Sequence, residues 1–385
     1  MSLYYPELTQ PVVGFAAFTR ISEETSPPQA AVLLSLGRQL RGDDISVLAR
    51  ARTKRRGKRL ALSTLDDADR EFPVPKIQPT RRRFAKAAVQ QRVKKQYGYS
   101  AKSAAAWEKA YADCATSLYA ITDHDGVADL LHLGLEHPKH LVRIAAAAAY
   151  HPITTDRAQT RRVLIQGLHS ADDLERSLAA TALARINPTH PALRKLMATR
   201  RPRKPSGSSR TITIVHGTWA TNSPWYQPPN GDFFTFVKGR RNDLYDQQDF
   251  FSWSGGFSDA ARSEGATALV QWVNTHHDQG LDLIGHSHGA NVMLLATNRG
   301  LTCGKTILLS CPVHVDKYFP DFSHVNTPVF SVRVKLDLVI LADGGGQKFN
   351  HPDIQEIILP IWFDHFATHD PNVWQTRNIA AQVGL

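Results

Sequence analysis

The chain has 385 residues, of which 42% are hydrophobic, and a formal net charge of +11. That length accommodates two or three domains with ordinary cores, and no run approaches the ~20 uninterrupted apolar residues of a membrane helix. Three cysteines, Cys114, Cys303 and Cys311, make no disulfide framework, and the first twenty residues put Glu7 where a signal peptide needs an apolar stretch, so a reduced, cytoplasmic protein is expected. Export by a dedicated secretion system would leave the same signature.

The positive charge is confined to one half. Residues 1–210 hold 35 of the 46 Lys and Arg against 19 of the 35 Asp and Glu, a balance of +16. Residues 211–385 hold 11 basic and 16 acidic residues, a balance of −5. Residues 1–104 read as a basic, partly helical region with dense runs at Arg50–Arg59 and from Arg81 through Arg92, Lys94 and Lys95. Such runs form either a solvated helix face or an anion-binding surface for a membrane or a protein partner. Aromatic residues are not interleaved with the basic ones, and no zinc spacing or helix-turn-helix pattern appears, so nucleic acid is not the expected partner.

Over 105–198 a repeat emerges. Gly134-Leu135, Leu141, Arg143, Ala146, Ala147 and Ala149 recur 33 residues later as Gly167-Leu168, Leu174, Arg176, Ala179, Ala180 and Ala182. Small residues at these places let helices approach closely, as stacked helical pairs require, and the pattern resembles HEAT-type repeats. Asp123-His124-Asp125 has the residue types of a metal site but no further ligands at helical spacing, so a helix-breaking loop is the plainer reading. Residues 199–210, rich in Pro, Gly, Ser and charge, make a linker that cannot bury a core.

From 211 the composition changes. Thr211–Val215 is β-branched throughout and reads as a strand, closed by His216-Gly217-Thr218-Trp219. The segment Trp219–Asp246 carries Trp225, Tyr226, Phe233, Phe234 and Phe236, which either pack in the core or wall an apolar cleft. A strand is expected at Asp249–Trp253 and an amphipathic helix at Phe257–Asn274. Leu281–Ile284 reads as a buried strand, followed at once by Gly285-His286-Ser287-His288-Gly289 and then by the helix-forming Ala290–Thr297. Strand, Gly-x-Ser-x-Gly and helix in that order make a tight turn, with glycines where side chains would collide with neighbouring elements and the serine held in strained backbone. Further strands are expected at Lys305–Ser310, Val329–Lys335 and Ile354–Trp362. Asp370-Pro371 has the form of an N-cap and first residue of a closing helix.

These motifs, over roughly 210–385, resemble the α/β-hydrolase superfamily and its small lipases and esterases. The resemblance implies a mostly parallel sheet with helices on both faces over 211–385, preceded by the all-α, HEAT-like region. It implies that Ser287 is the nucleophile and that Asp337, just past the strand two after the nucleophile, is the acid, with Asp343 the fallback. His365 is then the expected base and His369 the alternative. Backbone N–H groups of Thr218, or alternatively Trp219, and of His288 would form the oxyanion hole. His216 is expected to pack or hydrogen-bond beneath the site. The implied activity is hydrolysis of carboxylic esters, of esterase, lipase or phospholipase type, through an acyl-enzyme, with no metal and no cofactor. A thioesterase, amidase or acyltransferase would use the same residues, and an interaction protein with a vestigial hydrolase domain is the alternative from another class.

Overall fold

The computed structural model describes residues 26–40, 124–154, 157–196, 212–276 and 280–385. Cys114, both basic runs, the linker at 199–210 and the side chains of Asp123, His124 and Asp125 lie outside the described residues. The chain divides into two compact units. One reaches Ile186 and includes Leu341–Gly344; the other comprises Asn187–Ile340 and Gly345–Leu385. This boundary precedes the expected linker.

The first unit is helical: α1 (Ser26–Leu40), α2 (His124–Gly134), α3 (His140–Tyr150), α4 (Arg157–Gly167) and α5 (Asp173–Ile186). The alanines of the repeat explain its packing. Ala146, Ala147 and Ala149 of α3 are buried, as are Ala179, Ala180 and Ala182 of α5. A Cβ on Gly167 would stand 2.6 Å from that of Ala179 and 2.9 Å from Cδ1 of Ile144, so α4 lies against its neighbours at a distance only glycine permits. The repeated arginine does the same thing twice. Arg143 Nη1 donates to the carbonyl of His137 (2.6 Å), six residues back, and Arg176 Nη1 to that of Ser170 (2.7 Å), also six back. Each guanidinium thus closes the turn ahead of its own helix.

The second unit begins with the single turn α6 (Pro191–Arg194) and is built on a five-stranded, all-parallel sheet in the order β1-β2-β3-β4-β5. The strands are β1 (Ile212–Val215), β2 (Leu281–His286), β3 (Cys303–Leu309), β4 (Val329–Val334) and β5 (Ile354–Leu359). Parallel strands need crossovers, and helices supply most of them: α7 (Asp232–Lys238) and α8 (Asp259–His276) between β1 and β2, α9 (His288–Thr297) between β2 and β3, and α10 (Leu338–Asp343) between β4 and β5. Two short helices close the chain, α11 (Pro371–Thr376) and α12 (Ile379–Gln382).

Strand residues alternate between two cores, which is why the strands read as continuous apolar runs. Val215, Leu281 and Leu283 join Leu269 and Val273 of α8 and the apolar side chains of α9 in one cluster. Ile212, Ile214, Ile284, Ile307 and Val332 join Phe233 of α7, Trp374 of α11 and Ile379 of α12 in the other. Of the aromatic segment, Tyr226, Phe233, Phe234 and Phe236 are core residues.

Two sequence expectations need correction. Asp249–Trp253 leaves a turn, in which Phe250 N–H donates to Gln247 O (3.2 Å), and joins no ladder. Phe251 and Trp253 are buried, and the backbone N–H of Trp253 is taken by Nε2 of His216 (3.3 Å), so a side chain substitutes for a partner strand. The helix expected from Phe257 starts at Asp259, which leaves Ala260 exposed rather than on the buried stripe. No helix among the described residues is long and apolar enough to cross a membrane.

Candidate functional site

The carboxyl ends of parallel strands are where loops and helix N-termini converge, and every sequence-predicted site residue follows such an end. Thr218 and Trp219 follow β1, Ser287 follows β2, Asp337 follows β4, and His365 follows β5. The loops are tied to one another by extensions of the ladder. Ser287 N–H donates to Leu309 O (2.8 Å) and Ser310 N–H to Val332 O (2.9 Å). Lys335 N–H reaches Ile361 O (2.8 Å) and Phe363 N–H reaches Leu336 O (2.7 Å). Asp337 and Phe363 form a parallel bridge, which sets His365 two residues beyond the neighbour of Asp337.

Ser287 sits at φ 53°, ψ −132°, between the last residue of β2 and the first of α9. A non-glycine residue there carries roughly 1–3 kcal/mol of backbone strain, and both flanking glycines are needed to hold it. A Cβ on Gly285 would lie 2.3 Å from Sδ of Met293 and 2.9 Å from Cα of Ala290; on Gly289 it would meet His216 O at 2.2 Å and Val215 O at 2.6 Å. The turn is therefore wedged between α9 on one side and the end of β1 on the other. Ser287 is only 6% exposed.

Asp337 and His365 are paired. Oδ2 of Asp337 accepts from Nδ1–H of His365 at 2.7 Å, with both side chains buried. Oδ1 accepts from the backbone N–H groups of Val339 (2.9 Å) and Ile340 (3.1 Å), so the same carboxylate caps α10 and is fixed in orientation. Gln347 brackets its backbone, accepting from Asp337 N–H (3.1 Å) and donating to Asp337 O (3.3 Å). A carboxylate only accepts, so Nδ1 of His365 carries a proton, and Nε2 is the nitrogen left to exchange one. Asp343 is the last residue of α10. Among the described residues no hydrogen bond joins the Ser287 hydroxyl to His365. Asp370 accepts from Asn372 N–H (2.8 Å) as the N-cap of α11, with Pro371 in its first turn.

His369 is differently placed. Its ring stacks on Trp225 at 4.2 Å and meets the edge of His286 at 4.6 Å. Nε2 is buried without a partner among the described residues, and burial, with the neighbouring His365, lowers its pKa to about 3. Asp337 is thus joined to His365 and not to His369. Of the two oxyanion candidates after β1, Trp219 (φ 63°) spends its N–H on Gly255 O at 3.0 Å. Thr218 N–H donates to nothing among the described residues, and its hydroxyl is buried without a partner. A Cβ on the preceding Gly217 would come within 2.9 Å of Cβ of Ser287, so this segment runs beside the serine. His288 is the first residue of α9, where N–H groups point out of the helix end. His216 is fully buried: Nδ1–H donates to Gly217 O (2.8 Å), and Nε2 lies 3.1 Å from the Ser252 hydroxyl.

Two features escaped the sequence reading. The Thr218 hydroxyl is one, since an oxyanion hole of N–H groups asks for no particular side chain. The other is His286, whose Nε2 lies 3.1 Å from His365 O and whose ring meets the edge of the His365 ring at 4.7 Å. The only signal for it was an ionisable residue ending an otherwise apolar strand. Half-buried rings rim the site: Trp225 edge-on to His286, Phe366 beside His286, and Phe257 stacked on Trp219 and edge-on to His288. No cluster of His, Cys, Asp and Glu among the described residues has the form of a metal site.

No family model matches the chain, and no curated protein matches it. Among solved structures it is similar to an uncharacterized protein from Bacillus cereus ATCC 10987, at 13% identity and a TM-score of 0.26, over 77% of this chain and 97% of that one. That likeness carries no argument about fold or activity.

Proposed function

We propose that the chain is a serine hydrolase of the α/β-hydrolase type that cleaves carboxylic esters through an acyl-enzyme. The observation that carries this reading is the buried Asp337–His365 pair at 2.7 Å on the same strand-end edge as a serine at positive φ. His365 Nε2 takes the proton of the Ser287 hydroxyl as Oγ attacks the ester carbonyl, and Asp337 stabilises the imidazolium. The N–H groups of Thr218 and His288 receive the charge on the former carbonyl oxygen. The imidazolium then protonates the leaving alcohol, and water, deprotonated by the same nitrogen, releases the acid and restores the serine. The absence of a Ser287–His365 hydrogen bond accords with a resting site, since such bonds tighten only with substrate bound.

The half-buried aromatic rim favours an apolar acyl or alcohol group, so hydrophobic esters and lipids are the proposed substrates. The helical unit has the close-packed alanines and recurrent arginine of a HEAT-like scaffold, and its proposed role is partner binding rather than chemistry. The basic runs, read from sequence alone, suit an anionic membrane surface or an acidic protein. The test is hydrolysis of p-nitrophenyl esters from short to long acyl chains beside Ser287→Ala, with fluorophosphonate labelling. Activity that the variant loses supports the reading, and its chain-length optimum separates esterase from lipase. A wild-type protein inert to every ester and to the probe would sink it.

A further inference from the structure

We propose that His286 is a positioning residue for the base, an inference that rests on the serine-hydrolase reading above. It stands one residue before Ser287 at the end of β2, 4% exposed, in a box of rings: Trp225 edge-on at 5.6 Å, Phe366 at 6.3 Å, His369 at 4.6 Å and His365 at 4.7 Å. A side chain that merely filled this box would be apolar, because burying an imidazole costs free energy unless its polar atoms are satisfied. Among the described residues the one hydrogen bond the ring makes is to the main-chain carbonyl of His365, at 3.1 Å. A carbonyl only accepts, so Nε2 donates. Burial first, then the nearby His369 and His365, holds its pKa well below the ordinary histidine value, so the ring is neutral and Nε2 carries its single proton. Nδ1 faces Gly217, where a Cβ would lie 3.2 Å away.

The loop that carries His365 has anchors on other elements as well. The Thr368 hydroxyl reaches that of Ser310 (3.1 Å), and Trp374 Nε1–H donates to Thr368 O (2.7 Å). Both hold the loop three residues beyond the base. His286 grips the base residue itself, and it does so from the residue adjoining the nucleophile in the chain. To the Asp337 pair and the Phe363–Leu336 contact, His286 thus adds a direct tie between the base residue and the residue adjoining Ser287. A proton transfer is sensitive to the distance between Ser287 and His365, and misplacement by about 1 Å costs on the order of 10²-fold in rate.

Three substitutions separate this role from packing. His286→Phe keeps the ring volume and loses the donor. His286→Gln places an amide N–H where Nε2 stands, whereas His286→Asn reaches only the place of Nδ1. The measurement is kcat and KM on the best p-nitrophenyl ester, with thermal midpoints to check folding. His286→Phe and His286→Asn are expected to lower kcat by about 10- to 100-fold with KM within about twofold, and His286→Gln to regain most of it. Should the Phe variant fail to fold, the Gln and Asn pair still decides. Phe with wild-type kcat, or Gln no better than Asn, overturns the proposal while leaving the triad standing. A wild-type protein without esterase activity overturns both.

Discussion

The two compact units differ in how they spend irregularity. In the helical unit each device recurs: Arg143 and Arg176 close equivalent turns, and the same alanine positions are buried in α3 and α5. No described non-glycine residue there has a positive φ. In the sheet unit six do, and four of them, Trp219, Ser287, Ser310 and Phe363, follow the carboxyl ends of β1, β2, β3 and β5. Strain of roughly 1–3 kcal/mol per residue persists only where the surroundings impose it. Repetition is therefore the mark of a scaffold, and strain gathered along one sheet edge is the mark of a site.

The sharpest way to break this contrast is through Asp337, the proposed acid. Asp337→Asn keeps the shape of the side chain and its caps on α10 but removes the acceptor that fixes the His365 tautomer. Ester hydrolysis should fall by about 10³- to 10⁴-fold in kcat, with little change in the far-ultraviolet spectrum. A loss smaller than tenfold would mean that the strained edge is not where catalysis occurs. Thr218→Val comes next. Its hydroxyl is buried and unpartnered, so replacing it by a methyl should leave stability unchanged or raise it by up to ~1 kcal/mol. If the hydroxyl joins the N–H in holding the oxyanion, kcat nevertheless falls, by as much as about 10²-fold. Activity and stability moving in opposite directions is the outcome that distinguishes a site residue from a core one; unchanged kcat would restrict Thr218 to its N–H.

The helical unit should behave in the opposite way. Arg143→Ala and Arg176→Ala each leave backbone carbonyls short of a donor and should destabilise by a matched ~1–2 kcal/mol, read as denaturation midpoints, without altering ester hydrolysis. Gly167→Val forces a side chain against Ala179 and Ile144 and should cost about 1–3 kcal/mol. Unequal arginine effects would break the equivalence of the two repeats.

Much of this contrast is legible in the sequence, and the exceptions have physical causes. The strands β2 to β5, the glycine-flanked Ser287 and the capping Asp370 declare themselves through local rules: alternation, turn chemistry and helix caps. Asp249–Trp253 misleads because its aromatic residues are those of a strand, yet the backbone of Trp253 bonds to the ring of His216, which no local rule foresees. The pairing of Asp337 with His365 rather than His369 depends on the bridge between Asp337 and Phe363, a contact between chain segments 26 residues apart. His286 was legible only as an ionisable residue in an apolar strand; what it donates to lies 79 residues away.

The last effect concerns acid. Burial lowers the pKa of His369 to about 3 in the sheet unit and that of His137 to about 4 in the helical unit. Each is neutral when folded at pH 5, while in the unfolded chain it takes up a proton as pH falls through 6.5. The unfolded state then binds more protons, so the stability each contributes is whole above pH 6.5 and is lost progressively as pH falls towards its folded value, at up to ~1.4 kcal/mol per pH unit. The comparison of units supplies the control. His369→Phe keeps the stack on Trp225 and removes the titrating group, so the difference in slope between variant and wild type between pH 6.5 and 4 isolates one proton from the carboxylates that titrate alongside. His137→Phe should flatten the acid slope only in the transition that reports the helical unit. Equal slopes for wild type and His369→Phe would mean that the ring is protonated or solvated in the folded chain. The stack on Trp225 would then be no barrier to its serving as a base.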